Sequence, residues 1–286
     1  MIRLAIRVAR ADAEIALAEL LALAPAGVEE VDHGDTVEYA VYGAEGELPS
    51  LPDVRAAAGA ALVDVTTTHV ADDWASRWRD FHVPVTIGKR VHVRPPWCEP
   101  VGVAGGPGSD ALLDIVIDPN QAFGTGAHAT TRLCLEALLA LPQHGGPLVD
   151  LGCGSGVLAI AAAKLGWGPV SGLDHEAAAV VAARENARAN GVALDVRHGD
   201  LLHGDERAPS APTVVANLLR PLLAHVARTG FAGEPPRTMI VSGLLRAEAD
   251  AIAAAFEREQ GLRERDRGEL GEWAALTLVR ADRPHA

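Results

Sequence analysis

The chain has 286 residues, 49% of them hydrophobic, and carries 25 Lys and Arg against 38 Asp and Glu for a formal net charge of −13 at pH 7. That length and apolar content exclude a disordered chain and predict one large or two unequal domains. The acidic balance argues against a nucleic-acid backbone or an anionic membrane as the main partner and suits a basic one. The three cysteines, Cys98, Cys134 and Cys153, are far apart, form no CxxC pair and are odd in number. They predict a reducing, cytoplasmic setting with neither disulfides nor structural zinc, and no metal is expected. Charges recur every few residues in MIRLAIRVARADAE, and no stretch offers about 18 uninterrupted apolar residues, which predicts neither a secretory leader nor a membrane span.

Residues 1–69 read as a small unit. IRLAIRV alternates as a strand, Asp12 is placed to cap an Ala/Leu/Glu helix to about Leu23, and Gly27 ends it. VEEVDHG and TVEYAVYG follow as short strands around a His-Gly-Asp turn. Pro52 and Asp53 then open a second helix through Ala61, and LVDVTTTHV is a fourth strand. The order βαββαβ suits an α+β ferredoxin-like sandwich, a fold often used for binding. ADDWASRWRDFHVP, within a linker at 70–86, predicts a connecting helix with Trp74 and Trp78 on one face as docking core. The Gly-Pro-rich segment from Pro95 to Ser109 is a long loop between the strands KRVHVRP and ALLDIVID.

From about residue 127, helix and strand alternate. Helices are predicted at 127–140, 156–165, 176–190, from Pro221 and at 246–258; the strands are LVDLG, PVSGLD, ALDVRHGD, TVVANLL and RTMIVSG, with a terminal pair near 262–268 and 273–280. Short apolar strands between amphipathic helices predict a parallel, doubly wound α/β sheet over 87–286, with its ligand at the carboxyl ends of the strands.

One such end is VDLGCGSGVLAI. The dinucleotide fingerprint G-x-G-x-x-G fails because Val157 stands at its last position, and a Walker loop fails because Gly156 is followed by Val157 and Leu158 rather than Lys and Ser or Thr. What remains is D-x-G-x-G-x-G from Asp150, with Asp174 at the end of the next strand. A ligand with a ribose and no phosphate fits: Asp174 can accept from both ribose hydroxyls while the glycines admit a compact amino-acid tail. S-adenosylmethionine has that shape. Upstream, DPNQAFGTGAHATTRLCLEALL sets two glycines around Thr125 and then His128, Thr130 and Thr131 at a helix start, where polar side chains and free N–H groups suit a carboxylate.

The run DPNQAFGTGAHATT, then DLGCGSGVLAIAAAKLG, GLD, NARANGV, VVANLL, SGLL and a terminal GEW resembles the PrmA-type methyltransferases, which modify the stalk-base protein, number eleven, of the large ribosomal subunit. DWASRWRDFHVPVTIGKR extends the resemblance into the linker, so it covers nearly the whole chain. It implies a class I S-adenosylmethionine-dependent methyltransferase, Rossmann-like, behind a ferredoxin-like substrate-recognition domain, with S-adenosylhomocysteine as product. Carried over, it makes Thr131, Gly152, Asp174 and Asn217 the cofactor contacts, to which Gly154 and Thr125 are added. Asp200 is expected at the adenine amino group, Glu176 as a weaker candidate at the ribose edge, and Phe123 over the methionine tail or the amine channel. Asn217 can accept an amine hydrogen, and no Pro-Pro-Tyr follows it, which favours amines over planar amides or bases. His128 is expected to make local hydrogen bonds and Cys153 to be a small loop residue. The chain departs from the family pattern at Asn120, where glycine is usual, at Ala129 for proline, and at His175-Glu176 for an Ile-Asp pair.

The resulting expectation is a monomeric cytoplasmic enzyme that methylates lysine and α-amino groups of that ribosomal protein, without direct contact to nucleic acid or membrane. The alternatives are a lysine methyltransferase acting on another protein and a noncatalytic S-adenosylmethionine-binding protein.

Overall fold

The computed structural model describes residues 2–13, 16–17, 20, 28–43, 48–69, 82–100, 112–119, 124–141, 145–202 and 207–280. The chain forms two compact units, 1–81 and 82–286.

In the first unit, strands β1 (Ile2–Ala9), β2 (Glu29–Asp32), β3 (Thr36–Gly43) and β4 (Leu62–His69) make an antiparallel sheet in the order β2-β3-β1-β4. Period-two alternation puts Leu4, Ile6 and Val8 with Val37, Tyr39 and Val41 on one face. There they meet Val54 and Ala58 of helix α1 (Leu51–Ala58) and the helical residues Ala13, Ala16 and Leu20. This strand order with two helical connections is the ferredoxin-like arrangement. Asp12 ends a 3-10 turn, Arg10–Asp12, that Ala9 opens without any side-chain cap; the amides it is expected to cap lie outside the described residues. Ser50 caps α1, accepting from the Asp53 amide at 3.3 Å, with Pro52 in the first turn. The opposite sheet face carries Arg3 and Arg7, both bound to Glu38 at 2.8 Å.

Trp74 and Trp78, and with them most of the predicted connecting helix, lie outside the described residues. The last two positions of that expected linker are not helical. Val85–Ile87 is strand β5, paired with β6 (Val91–Arg94) across a tight turn in which Gly88 and Lys89 both have positive φ. Strand β7 (Leu113–Val116) adds in parallel to β6.

The main sheet of the second unit holds β8 (Leu148–Leu151), β9 (Val170–Asp174), β10 (Leu194–His198), β11 (Thr213–Asn217), β12 (Thr238–Leu245), β13 (Leu262–Leu270) and β14 (Trp273–Arg280). Their order is β10-β9-β8-β11-β12-β14-β13. The expectation of a parallel sheet holds from β8 to β12, but β14 runs antiparallel to both neighbours. The cause is local: only Gly271 and Glu272 join β13 to β14, and so short a connection cannot cross over. Leu148, Val215 and Ile240 pack on one face with α2 (Ala129–Ala140) and α3 (Val157–Leu165). Val149, Leu151, Val214, Ala216, Met239 and Val241 pack on the other, under α5 (Arg220–Thr229) and α6 (Arg246–Gln260). Helix α4 (Ala177–Ala189) covers β9 and β10. Among the described residues, no helix is long and apolar enough to cross a membrane.

Candidate active site

The carboxyl end of β8 runs straight into the glycine loop. Gly152 has φ +69°, a conformation that favours glycine, and a Cβ there would press on the tip of the Leu218 side chain. Gly156, the residue before α3, packs against Ala183 of α4. The loop is held from the neighbouring strand end. The Gly154 N–H donates to Asp174 Oδ2 at 2.8 Å and the Glu176 N–H to Asp174 Oδ1 at 3.0 Å. Asp174 therefore clamps the loop as well as facing the cavity, and each of its oxygens keeps a further lone pair to accept with. Glu176 itself is the N-cap position of α4.

A cavity of about 470 Å³ opens here, lined by Gly124, Thr131, Gly152, Gly154, Asp174 and Asn217 together with Leu218 and Leu219. It joins the ends of β8, β9 and β11 with the start of α2, and it collects Thr131, Gly152, Gly154, Asp174, Asn217 and Glu176 of the sequence-predicted contacts. Thr131 is 1% exposed, and its hydroxyl has no hydrogen-bond partner among the described residues. A buried, unpaired hydroxyl on a cavity wall costs free energy until a polar ligand meets it. A smaller space of about 210 Å³, sharing Gly152 and Asp174, is lined by Asp200 with Leu201, Leu202, Leu218 and Leu222. Leucine walls with two carboxylates, Asp174 and Asp200, suit a heteroaromatic ring bearing an amino group. Asp200 also caps its own turn, Oδ1 accepting from the Leu202 N–H at 2.7 Å. Thr125 is half-buried beside Gly124 but is not among the residues lining either space. Phe123 lies outside the described residues, as does Asn120.

His128 caps α2: its Nδ1 accepts from the Thr130 N–H at 3.3 Å, and its ring stands edge-on to Trp273 at 5.0 Å, while burial lowers its pKa. That is local structural work. Cys153 is buried against Val180, Ala183 and Val196, and burial holds its thiol far above the ordinary range, so it is no nucleophile.

Sequence reasoning did not single out Ser155, Asn186 or Ser242. The Ser155 hydroxyl donates to the Gly124 carbonyl at 2.7 Å, the Asn186 side chain donates to the Ser155 carbonyl at 2.9 Å, and the Ser242 hydroxyl donates to the Ala274 carbonyl at 2.9 Å. The available signal was the pair of asparagines inside the helix-forming run NARAN, where their low propensity needs a tertiary reason.

Asp150, the first residue of the glycine motif, is fully buried. Its Oδ2 accepts from the Ala159 N–H at 3.2 Å and its Oδ1 has no partner among the described residues. Burial, reinforced by Asp174, pushes its pKa from 3.8 up to about 7. The native carboxyl thus keeps a proton that the unfolded one has lost, and its contribution to stability is complete below about pH 4 and vanishes as pH rises through 7. Asp150→Asn, which cannot ionise, should gain on the parent by roughly 2–4 kcal/mol between pH 4 and pH 8. Urea unfolding midpoints across that range measure the difference, and parallel pH profiles would remove the assignment.

The family described as ribosomal protein L11 methyltransferase (PrmA) matches residues 40–281. A ribosomal protein L11 methyltransferase of Pelotomaculum thermopropionicum is 39% identical over 221 residues, 76% of this chain and 69% of that protein. One from Actinobacillus pleuropneumoniae is 34% identical over 253 residues, 86% of this chain and 82% of that protein. The crystal structure of a ribosomal protein L11 methylase from Lactobacillus delbrueckii subsp. bulgaricus superposes with a TM-score of 0.59 at 26% identity, covering 70% of this chain and all of that one. With a family match that takes in most of the second unit and reaches back into the first, the chain belongs to the ribosomal protein L11 methyltransferase (PrmA) family.

Proposed function

We propose that this chain is an S-adenosylmethionine-dependent N-methyltransferase that methylates lysine and α-amino groups of ribosomal protein L11. The observation that carries the reading is the convergence of Thr131, Gly152, Asp174 and Asn217, positions far apart in sequence, on one cavity at the strand ends. In this reading Asp174 holds the ribose hydroxyls, Gly152 and Gly154 leave room for the amino-acid portion, Thr131 satisfies its unpaired hydroxyl on that portion, and Asp200 faces the adenine. The bound sulfonium supplies a methyl group already activated for displacement. The protein's own task is then alignment and exclusion of water. A free lysine has a pKa of about 10.4, so presenting it neutral near pH 7.4 costs about 4 kcal/mol. The apolar walls, Leu218, Leu219 and Leu222, lower that cost by disfavouring the ammonium form. Asn217, through its side-chain carbonyl, accepts an amine hydrogen and orients the lone pair. No protein base is required.

Residues 1–69 serve as the recognition domain in this proposal and 70–86 as the connection to the catalytic domain, the enzyme acting as a monomer in the cytoplasm. Incubating purified ribosomal protein L11 with the enzyme and cofactor should add mass in 14-dalton steps, one per methyl, by mass spectrometry. An unmodified protein would remove the substrate. Asp174→Ala removes the ribose acceptor together with the anchor of the Gly154 and Glu176 amides, so S-adenosylhomocysteine should bind at least about 100-fold more weakly by calorimetry. Unchanged affinity would take Asp174 out of the site.

A further inference from the structure

Asn186 does not line the cavity, yet its side chain connects the two backbone segments that do. It sits on α4 at 4% exposure, where a primary amide must find partners on both ends. Its Oδ1 accepts from the Asp118 N–H at 3.0 Å, and Asp118 opens the DPNQAFGTG segment. Its Nδ2 donates to the Ser155 carbonyl at 2.9 Å, in the glycine loop. Ser155, fully buried, sends its hydroxyl back to the Gly124 carbonyl at 2.7 Å, near the end of the DPNQAFGTG segment. The segment is therefore fastened near both ends to the same short stretch, and Gly124 and Gly154 both line the cavity. Asn190, one helical turn on, makes a contrasting set of bonds: it binds Val116 through both N–H and carbonyl, at 2.9 and 2.6 Å, and its own helix at the Asn186 carbonyl. It secures the end of β7 without touching the glycine loop.

We infer that Asn186 and Ser155 are positioning residues that fix the distance between the Gly124 wall and the glycine-loop wall, and thereby set the affinity for the nucleoside cofactor. The inference rests on the proposed function. Because neither side chain faces the ligand, both act through backbone placement, and their effects should overlap rather than add.

The test compares full-length parent, Asn186→Leu, Ser155→Ala, the double variant and Asn190→Leu. S-adenosylhomocysteine affinity is read by calorimetry and the unfolding midpoint by thermal melting. Expected are a loss of at least about tenfold in affinity for Asn186→Leu and a smaller loss in the same direction for Ser155→Ala. The double variant should be no weaker than about the worse single, and Asn190→Leu should lower the midpoint with affinity within about twofold of the parent. Ser155→Ala deletes one oxygen and keeps the backbone, so it reports even if Asn186→Leu fails to fold. Parent-like affinity in Ser155→Ala, or equal affinity losses in Asn186→Leu and Asn190→Leu, overturns the inference and leaves the proposed function standing. A folded parent that binds no S-adenosylhomocysteine overturns both.

Discussion

Replacing Gly243 by alanine is expected to lower stability by more than about 3 kcal/mol and to abolish cofactor binding, a larger effect than any other single methyl group placed near the site. Gly243 lies in the SGLL stretch of β12, where pairing with β14 slips between Val241 and Leu244. Its φ of +83° already costs a residue with a Cβ about 1–2 kcal/mol. The heavier cost is contact with fixed backbone. A Cβ at 243 would lie 2.7 Å from the Leu218 carbonyl carbon, 3.0 Å from its nitrogen and closer still to its oxygen, at the point where the Leu218 N–H donates to the Ser242 carbonyl at 3.0 Å. Leu218 cannot yield without carrying Asn217, its neighbour on the cavity wall. Gly152→Ala is the control. It suffers a comparable φ penalty, but its new methyl meets only the tip of the Leu218 side chain, which can rotate away. Thermal melting should rank the variants parent, Gly152→Ala, Gly243→Ala, with the last about 6–12 °C below the parent. A Gly243→Ala protein as stable as Gly152→Ala would mean that the backbone crossing is not rigid.

The glycine motif and its companion acid were legible because each is a local pattern with one mechanical use: a turn without side chains at one strand end and a carboxylate at the next. Thr131 and Asn217 were legible through resemblance rather than periodicity, since nothing in the spacing of a threonine and an asparagine 86 positions apart tells that they share a cavity. The β5–β6 turn was missed because Gly-Lys is not a usual pair for a turn that needs positive φ at both positions, and Lys89 adopts it at +58°. The fastening by Ser155 and Asn186 was hidden for a different reason. Both act through long-range bonds to main-chain atoms, and a carbonyl carries no sequence signature. The fold was readable where side chains decide and obscure where the backbone is the partner.

The second large effect lies in the pair β6 and β7. Asp114→Ala should destabilise the second unit by about 3–5 kcal/mol, because it strands a guanidinium in the interior. Arg94 on β6 and Asp114 on β7 face each other at 9% and 10% side-chain exposure, with Nε and Nη2 both 2.8 Å from the carboxylate oxygens in a two-pronged pair. Nη1 reaches the Cys98 carbonyl at 2.5 Å, so the arginine is tied down even when its counterion is gone and cannot swing to solvent at little cost. Lys164 compounds the loss. Its ammonium donates to the Asp114 main-chain carbonyl at 2.8 Å, an anchor that survives the substitution, and its pKa is depressed first by burial and also by Arg94, with Asp114 acting in the opposite sense. Removing the carboxylate leaves two cations facing each other in a half-dry environment. The converse substitution separates pairing from packing. Replacing Arg94 and Asp114 together by leucine removes both charges and fills the space, and such exchanges of buried pairs are often neutral or stabilising. Urea unfolding should therefore place the double variant above Asp114→Ala in midpoint, and β7, which delivers Val116 and Asp118 to Asn190 and Asn186, should keep its place. If the double variant is instead the less stable of the two, the ion pair is a net source of stability here, and the charges themselves hold β6 against β7.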